Sequence, residues 1–155
     1  MSNDVVHLYD LGVRFLIDGD TTDGRFSLVE HWLPPRGLGA PMHTHAHEDE
    51  YSYVIEGRLG AQLGDETVEA GAGEVVRKPR GQAHTFWNAG DRPVRFLEVI
   101  SPAGFENYFR ELAPLLAAGD RTGAMEVAAR YELDIDFSTI PALAERFGLS
   151  VAAPV

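Results

Sequence analysis

No cysteine occurs in the 155 residues. That absence excludes disulfides, thiolate nucleophiles, cysteine-type zinc sites and iron–sulfur clusters. Cations are scarce: 13 Lys and Arg stand against 24 Asp and Glu, a net charge of −11. Such a polyanion has no surplus of basic side chains to displace counterions from nucleic acid or from an anionic bilayer. Nucleic acid and membranes are therefore not expected partners. Long apolar runs are missing as well: a membrane span needs about 18 consecutive apolar residues, and no stretch of this chain approaches that. Met1-Ser2-Asn3-Asp4 shows neither the basic nor the apolar region of a secretory signal. The expectation is a soluble cytoplasmic protein.

What remains is an ordinary globular composition, 45% hydrophobic, at a length of about one domain. Residues 1–155 are read as one domain, with a barrel over about 5–100 and a helical tail over about 102–148. Up to Ile100 the chain reads as short strands between Gly and Pro turns. Val13–Ile17, Arg25–Leu33, Glu50–Glu56, Arg58–Leu63, Glu74–Lys78, His84–Trp87 and Val94–Ile100 are the runs. Gly64-Asp65, Ala70-Gly71-Ala72-Gly73, Pro79-Arg80-Gly81 and Ala89 to Pro93 punctuate them. Regular short strands of this kind indicate an all-β sandwich or barrel. After Ile100 the period changes. Ser101-Pro102 reads as an N-cap and first helical position. Phe105, Tyr108, Phe109, Leu112, Leu115 and Leu116 then mark one helix face, with Pro114 ending or kinking it. Ala124, Val127, Ala128 and Tyr131 mark a second helix. Leu143, Ala144 and Phe147 mark a third, with Gly148 as its C-cap.

The six histidines are unevenly placed. In a strand, residues two apart share a face, so His43 and His45 can aim both imidazoles at one point. Glu50 opens the next strand and can return a carboxylate to that point. Beyond the turn at Pro79 and Gly81, His84 can supply a further ligand from the opposite wall. Imidazoles with a carboxylate suit a divalent first-row metal.

The spacing of these residues resembles the two signature motifs of the cupins. Gly37, His43, His45, Glu50 and Gly57 match the first motif, and Gly73, Pro79, Gly81, His84 and Asn88 match the second. The resemblance implies a cupin jelly-roll β-barrel, here followed by about three short α-helices. It implies a metal held by His43, His45, Glu50 and His84, with Fe, Mn, Ni or Zn as candidate ions. The tail resembles that of small cupins similar to quercetin dioxygenases. This likeness implies a dioxygenase acting on a small enolic, diketone or aromatic hydroxylated substrate, with Glu50 doubling as catalytic base. The alternatives are a Lewis-acid isomerase, cyclase or decarboxylase, and a non-catalytic small-molecule binder. Cupins commonly form homodimers, and Tyr51 and Tyr53, of opposite parity to Glu50, would suit such a face.

By strand parity Ser52 joins Glu50, while Phe86 and Asn88 join His84, as substrate-pocket candidates. Glu30 and Trp32 are read as facing the barrel interior, and His31 and His7 as ordinary strand residues. His47, which forms a second His-x-His with His45, is read as a ligand, a solvated loop histidine or a partner to the ligands, and Glu48 and Asp49 as solvated. The first helix is either core cover or a lid, with Phe105, Tyr108 or Phe109 touching substrate.

Overall fold

The computed structural model describes residues 4–151. Met1 to Asn3, read above for a targeting signal, lie outside the described residues. In chain order the strands are β1 (Val5–Leu8), β2 (Leu11–Ile17), β3 (Ser27–Leu33), β4 (Met42–His45), β5 (Asp49–Glu56) and β6 (Arg58–Leu63). They continue with β7 (Glu66–Gly71), β8 (Val75–Lys78), β9 (His84–Asn88), β10 (Val94–Ser101) and β11 (Leu133–Asp136). The helices are α1 (Glu106–Ala117), α2 (Arg121–Arg130) and α3 (Ile140–Phe147).

Two antiparallel sheets face each other as a jelly-roll sandwich. One runs β1-β2-β3-β10-β5-β8 and the other β11-β4-β9-β6-β7. The strands that carry the motifs lie in both: β5 in the six-stranded sheet, β4 and β9 in the five-stranded one. Alternation decides what enters the space between them. On β10, Val94, Phe96, Glu98 and Ile100 are buried while the residues between them are partly exposed. On β5, Glu50, Ser52 and Val54 point in, and Tyr53 remains 46% exposed. The core joins Phe15, Val29, Leu33, Phe96 and Ile100 to Phe105, Tyr108, Phe109 and Leu112 of the tail. Each fully buried side chain of this size stabilises by roughly 1.5–3 kcal/mol.

The tail differs from its expected form in two ways. The first helix does not begin at Ser101-Pro102. Ser101 stays in β10, paired with Asp49, and its hydroxyl donates to the Arg25 carbonyl at 3.0 Å. With Ser101 claimed by the sheet, α1 starts at Glu106, whose carboxylate accepts from the backbone N–H of Gly19 at 2.9 Å and of Gly104 at 2.6 Å. Pro114 lies inside α1. The tail is also not purely helical. β11 pairs with β4, placing Leu133 opposite His45 and Ile135 opposite His43. Asp120 caps α2 by accepting from Gly123 N–H at 2.9 Å. Gly148 ends α3 at φ 63°, a left-handed conformation that costs glycine no Cβ clash. Phe147 of α3 stacks on Trp87 at 4.1 Å. Among the described residues, no helix is long and apolar enough to cross a membrane.

Candidate metal centre

β4 is short, and its two histidines point the same way. His43 and His45 are both buried while Met42 and Thr44 between them are partly exposed. β9 brings His84 directly opposite His43. β5 of the facing sheet brings Glu50. One ligand atom from each of His43, His45, Glu50 and His84 falls within a 4.8 Å span, and all four residues are buried. His45 Nε2 lies 3.4 Å from Glu50 Oε1, and His84 Nε2 lies 3.3 Å from Glu50 Oε2.

The outer ring nitrogens are held from behind. His43 Nδ1 donates to the Pro41 carbonyl at 2.8 Å, and His84 Nδ1 to the Gln82 carbonyl at 3.3 Å. Such bonds fix the ring and leave Nε2 as the free lone pair. His45 Nδ1 faces Glu48 Oε2 at 3.4 Å. Glu48 is therefore buried against a candidate ligand rather than solvated, which corrects the expectation for it. Asp49 does stay at the surface side, where it binds Arg80.

His45 Nε2 and His84 Nε2 are buried without a hydrogen-bond partner. An unsatisfied buried polar atom costs about 1–3 kcal/mol. Two such atoms aimed at one carboxylate are what a cation would satisfy, and the N,N,N,O donor set suits a first-row divalent ion. The residues present thus fit a metal.

Electrostatics agree with the geometry. Burial, with help from His84 and His45, holds the His43 imidazole well below its ordinary pKa. Burial likewise lowers His84, despite Glu50. Burial also disfavours charge on His45, but Glu50 and Glu48 outweigh it and leave that ring raised. Burial pushes the Glu50 carboxyl up, yet His45, Lys78 and His84 together hold it well below the usual range.

Behind Glu50 lies a feature that strand reading missed. Lys78 is 1% exposed. Its ammonium binds Glu98 and stands 3.4 Å from Glu50 Oε2. It also stands 4.9 Å from the centre of the Phe86 ring. Burial works against its charge, but Glu98 and Glu50 keep it protonated. Ser52 donates to the other oxygen of Glu98. Burial pushes the Glu98 carboxyl up to about 7, with Lys78 pulling against it. A basic residue in a strand ordinarily reads as surface, so no sequence signal marked Lys78.

Three of the four, His43, His45 and Glu50, open on a cavity of about 160 Å³. Its walls are mainly carbon: Phe86, Phe105, Phe109, Leu112, Leu133 and Ile135 are among them. Tyr108 of α1 also lines it, so α1 both covers the core and closes the chamber. Gly39 lies in the wall because a Cβ there would stand 2.0 Å from the Phe86 ring. A wider outer chamber of about 620 Å³ adjoins it and shares Leu8, Tyr9, Ala40, Leu116 and Phe137 with it.

Of the pocket candidates, Phe86 lines the cavity. Ser52 stands behind Glu98 rather than in the wall. Asn88 is not in the wall either. Its amide donates to the carbonyls of Leu33, Pro34 and Arg92, at 3.1, 3.0 and 2.7 Å, and so ties the ends of three segments. The parity of β3 is the reverse of that expected. Val13, fully buried, sits opposite His31, whereas Arg14 sits opposite Glu30. Glu30 accordingly pairs on the outer face with Arg14 at 3.1 Å and Arg95 at 2.9 Å. Trp32 lies with His7, their ring centres 5.8 Å apart. His31 is the residue that faces the cavity. His47 lies away from the cluster, paired with Glu132.

Residues 30–100 match the family described as Cupin domain. The chain is 38% identical over 89 residues to the tetracenomycin polyketide synthase protein TcmJ of Streptomyces glaucescens, spanning 57% of this chain and 60% of that protein. It is 37% identical over 60 residues to the polyketide synthase CurC of Streptomyces cyaneus, 39% of each. Among solved structures, the oxalate decarboxylase of Bacillus subtilis, studied for its Mn(II) centres, aligns at a TM-score of 0.58 and 20% identity. That alignment covers 65% of this chain and 28% of the other. The chain therefore matches less than two thirds of the length of either curated relative.

Proposed function

We propose that this chain, which matches the Cupin domain family over residues 30–100 and shares the fold of solved cupin structures, is a metal-dependent enzyme acting on a small enolic, diketone or phenolic molecule. The observation that carries this is the buried cluster of His43, His45, Glu50 and His84, of which His43, His45 and Glu50 line a chamber walled mainly by carbon. When bound there, a divalent ion supplies Lewis-acid polarisation of a chelated oxygen pair and, where the ion is redox-active, reaction with dioxygen.

The chain's own residues set the rest. The inner chamber matches one aromatic ring, since an apolar cavity of about 150 Å³ holds benzene. Phe86, Phe105 and Phe109 exclude water and grip the faces of that ring. The outer chamber is large enough for the remainder of an extended molecule. Glu50, the one carboxylate of the candidate ligand set, is ionised and lies in the chamber wall, where it can accept a substrate proton. Lys78 stands against its second oxygen and stabilises its ionised form.

The first reading of the reaction is dioxygenation. The second is cyclisation or isomerisation without oxygen, and it is favoured by the two polyketide synthase relatives. Metal analysis of protein purified without chelator, followed by reconstitution with Fe, Mn, Ni or Zn, tests both. Oxygen uptake with flavonols or diketones supports dioxygenation. Turnover of a poly-β-ketone in the absence of oxygen supports the second reading. Failure to retain any of these ions overturns both.

A further inference from the structure

His31 is a buried imidazole outside the candidate ligand set, and the proposed chemistry does not use it. Its exposure is 2%. Its Nδ1 donates to the Gly12 carbonyl at 3.3 Å, which leaves Nε2 as the acceptor. The ring lies among Phe86, Phe96 and Phe109, with centres 6.3, 5.2 and 5.4 Å away. None of these neighbours can donate a hydrogen bond. Among the described residues, no hydrogen bond reaches Nε2. Yet the imidazole lines the inner chamber.

A phenylalanine or leucine would fill this place among aromatic rings without the desolvation cost of an imidazole. The polar ring is explained if something in the chamber donates to it. Burial, together with Lys78, lowers the His31 pKa to about 4. The ring is therefore neutral, and an acceptor, throughout the ordinary pH range.

We propose that His31 is a specificity-determining residue whose Nε2 accepts a hydrogen bond from a hydroxyl on the ring that occupies the inner chamber. The ligand class is a hydroxylated aromatic or enolic ring rather than a bare hydrocarbon or an anion. This rests on reading the chamber as the substrate site and deepens that reading. Nε2 is not among the sealed, unpaired buried atoms and is open to the chamber, so a ring without a hydroxyl that filled the chamber would cover this acceptor and leave it unpaired.

The test uses the full chain without metal and two rings of similar size, phenol and fluorobenzene, titrated by NMR. Phenol is expected to bind about tenfold more tightly and to shift the His31 Nε2 resonance. In His31→Phe the two rings are expected to bind within about twofold of each other, while His31→Gln, which keeps an acceptor, retains part of the preference. The shift pattern of each variant shows that it is folded. Equal binding of the two rings by the native chain overturns the proposal, as does failure of either ring to enter. A phenol preference that survives His31→Phe also overturns it, and assigns the hydroxyl to the cluster at Glu50. A chain that shows the His31-dependent preference but retains no metal overturns the proposed enzyme and leaves this assignment standing.

Discussion

The two sheets face the same chamber with different chemistry. The five-stranded sheet presents three imidazoles, His43, His45 and His84, on β4 and β9. The six-stranded sheet presents Glu50, Lys78 and Glu98, three ionisable groups in contact through one ammonium, together with the separate imidazole of His31. The His43 and His84 rings are held in place by backbone carbonyls, and His45 Nδ1 faces Glu48 at 3.4 Å. The opposing set is a charge network, in which removing one member strands the others. The difference teaches that the two sets of groups carry different loads. Substitutions of the three imidazoles should act mainly on a bound metal and those of Lys78 and Glu98 mainly on folding, while Glu50 belongs to both sets.

The largest expected effect is on the charged side. Lys78→Met leaves Glu50 and Glu98 buried without their cation, and breaking a buried pair in this way costs about 3–5 kcal/mol. The paired change Lys78→Met with Glu98→Leu is expected to recover most of that loss. Chemical denaturation of the metal-free chain measures both, and an unaltered midpoint in the single variant breaks the comparison.

Acid stability is the next effect. The His31 pKa of about 4 in the folded chain lies below the 6.5 of an ordinary imidazole, chiefly because the ring is buried. The neutral ring thus contributes its full stability above pH about 6.5, and the contribution is lost as pH falls toward 4. The shift corresponds to about 3 kcal/mol. His31→Phe should flatten the stability curve over that window relative to the native chain. Equal acid profiles for the two would show that His31 is solvated.

On the imidazole side, His84→Ala is expected to lower metal affinity by more than about 100-fold, beyond the range seen when only a supporting residue is lost. Its thermal unfolding without metal should change little. Metal content after dialysis checks the first point and calorimetry the second. Metal affinity of the native chain should also fall with acid, first as His45, whose ring is raised, takes a proton, and only at lower pH as His43 and His84 do.

The smallest effect is Glu48→Ala. It removes only the carboxylate behind His45 Nδ1, and about a tenfold loss of metal affinity is expected. Titration against a competing chelator measures it. A loss as large as that of His84→Ala would place Glu48 among the ligands.

Much of this arrangement was legible beforehand. β5, β6, β9 and β10 lie within a residue of the runs read from alternation, because each is bounded by a Gly or Pro turn. The inward parity of Glu50 and His84 followed from the same alternation. β3 was misread because both of its faces are covered. Val29, His31 and Leu33 pack inward, while Leu28, Glu30 and Trp32 are shielded by β2 and by arginines. With apolar and polar residues on each parity, periodicity had nothing to separate. β11 was missed because Leu133-Asp134-Ile135-Asp136 is only four residues long and lies between helices. Its partner, β4, is far away in the chain.

By itself the sequence determined the local pieces of the candidate centre. His-x-His on one strand, a carboxylate opening the next and a histidine after a Pro-x-Gly turn each need only nearest-neighbour geometry to aim their side chains. Tertiary structure alone decided which other groups line the chamber or stand directly behind its wall. Lys78 is buried because β8 pairs with β5, placing it opposite Glu50 and beside Glu98. His31 faces inward because β2 sets the register of β3. α1 closes the chamber because Glu106 anchors its start to Gly19, a residue 87 positions away. These placements depend on pairings between distant segments, and no local period in the chain encodes which segments meet.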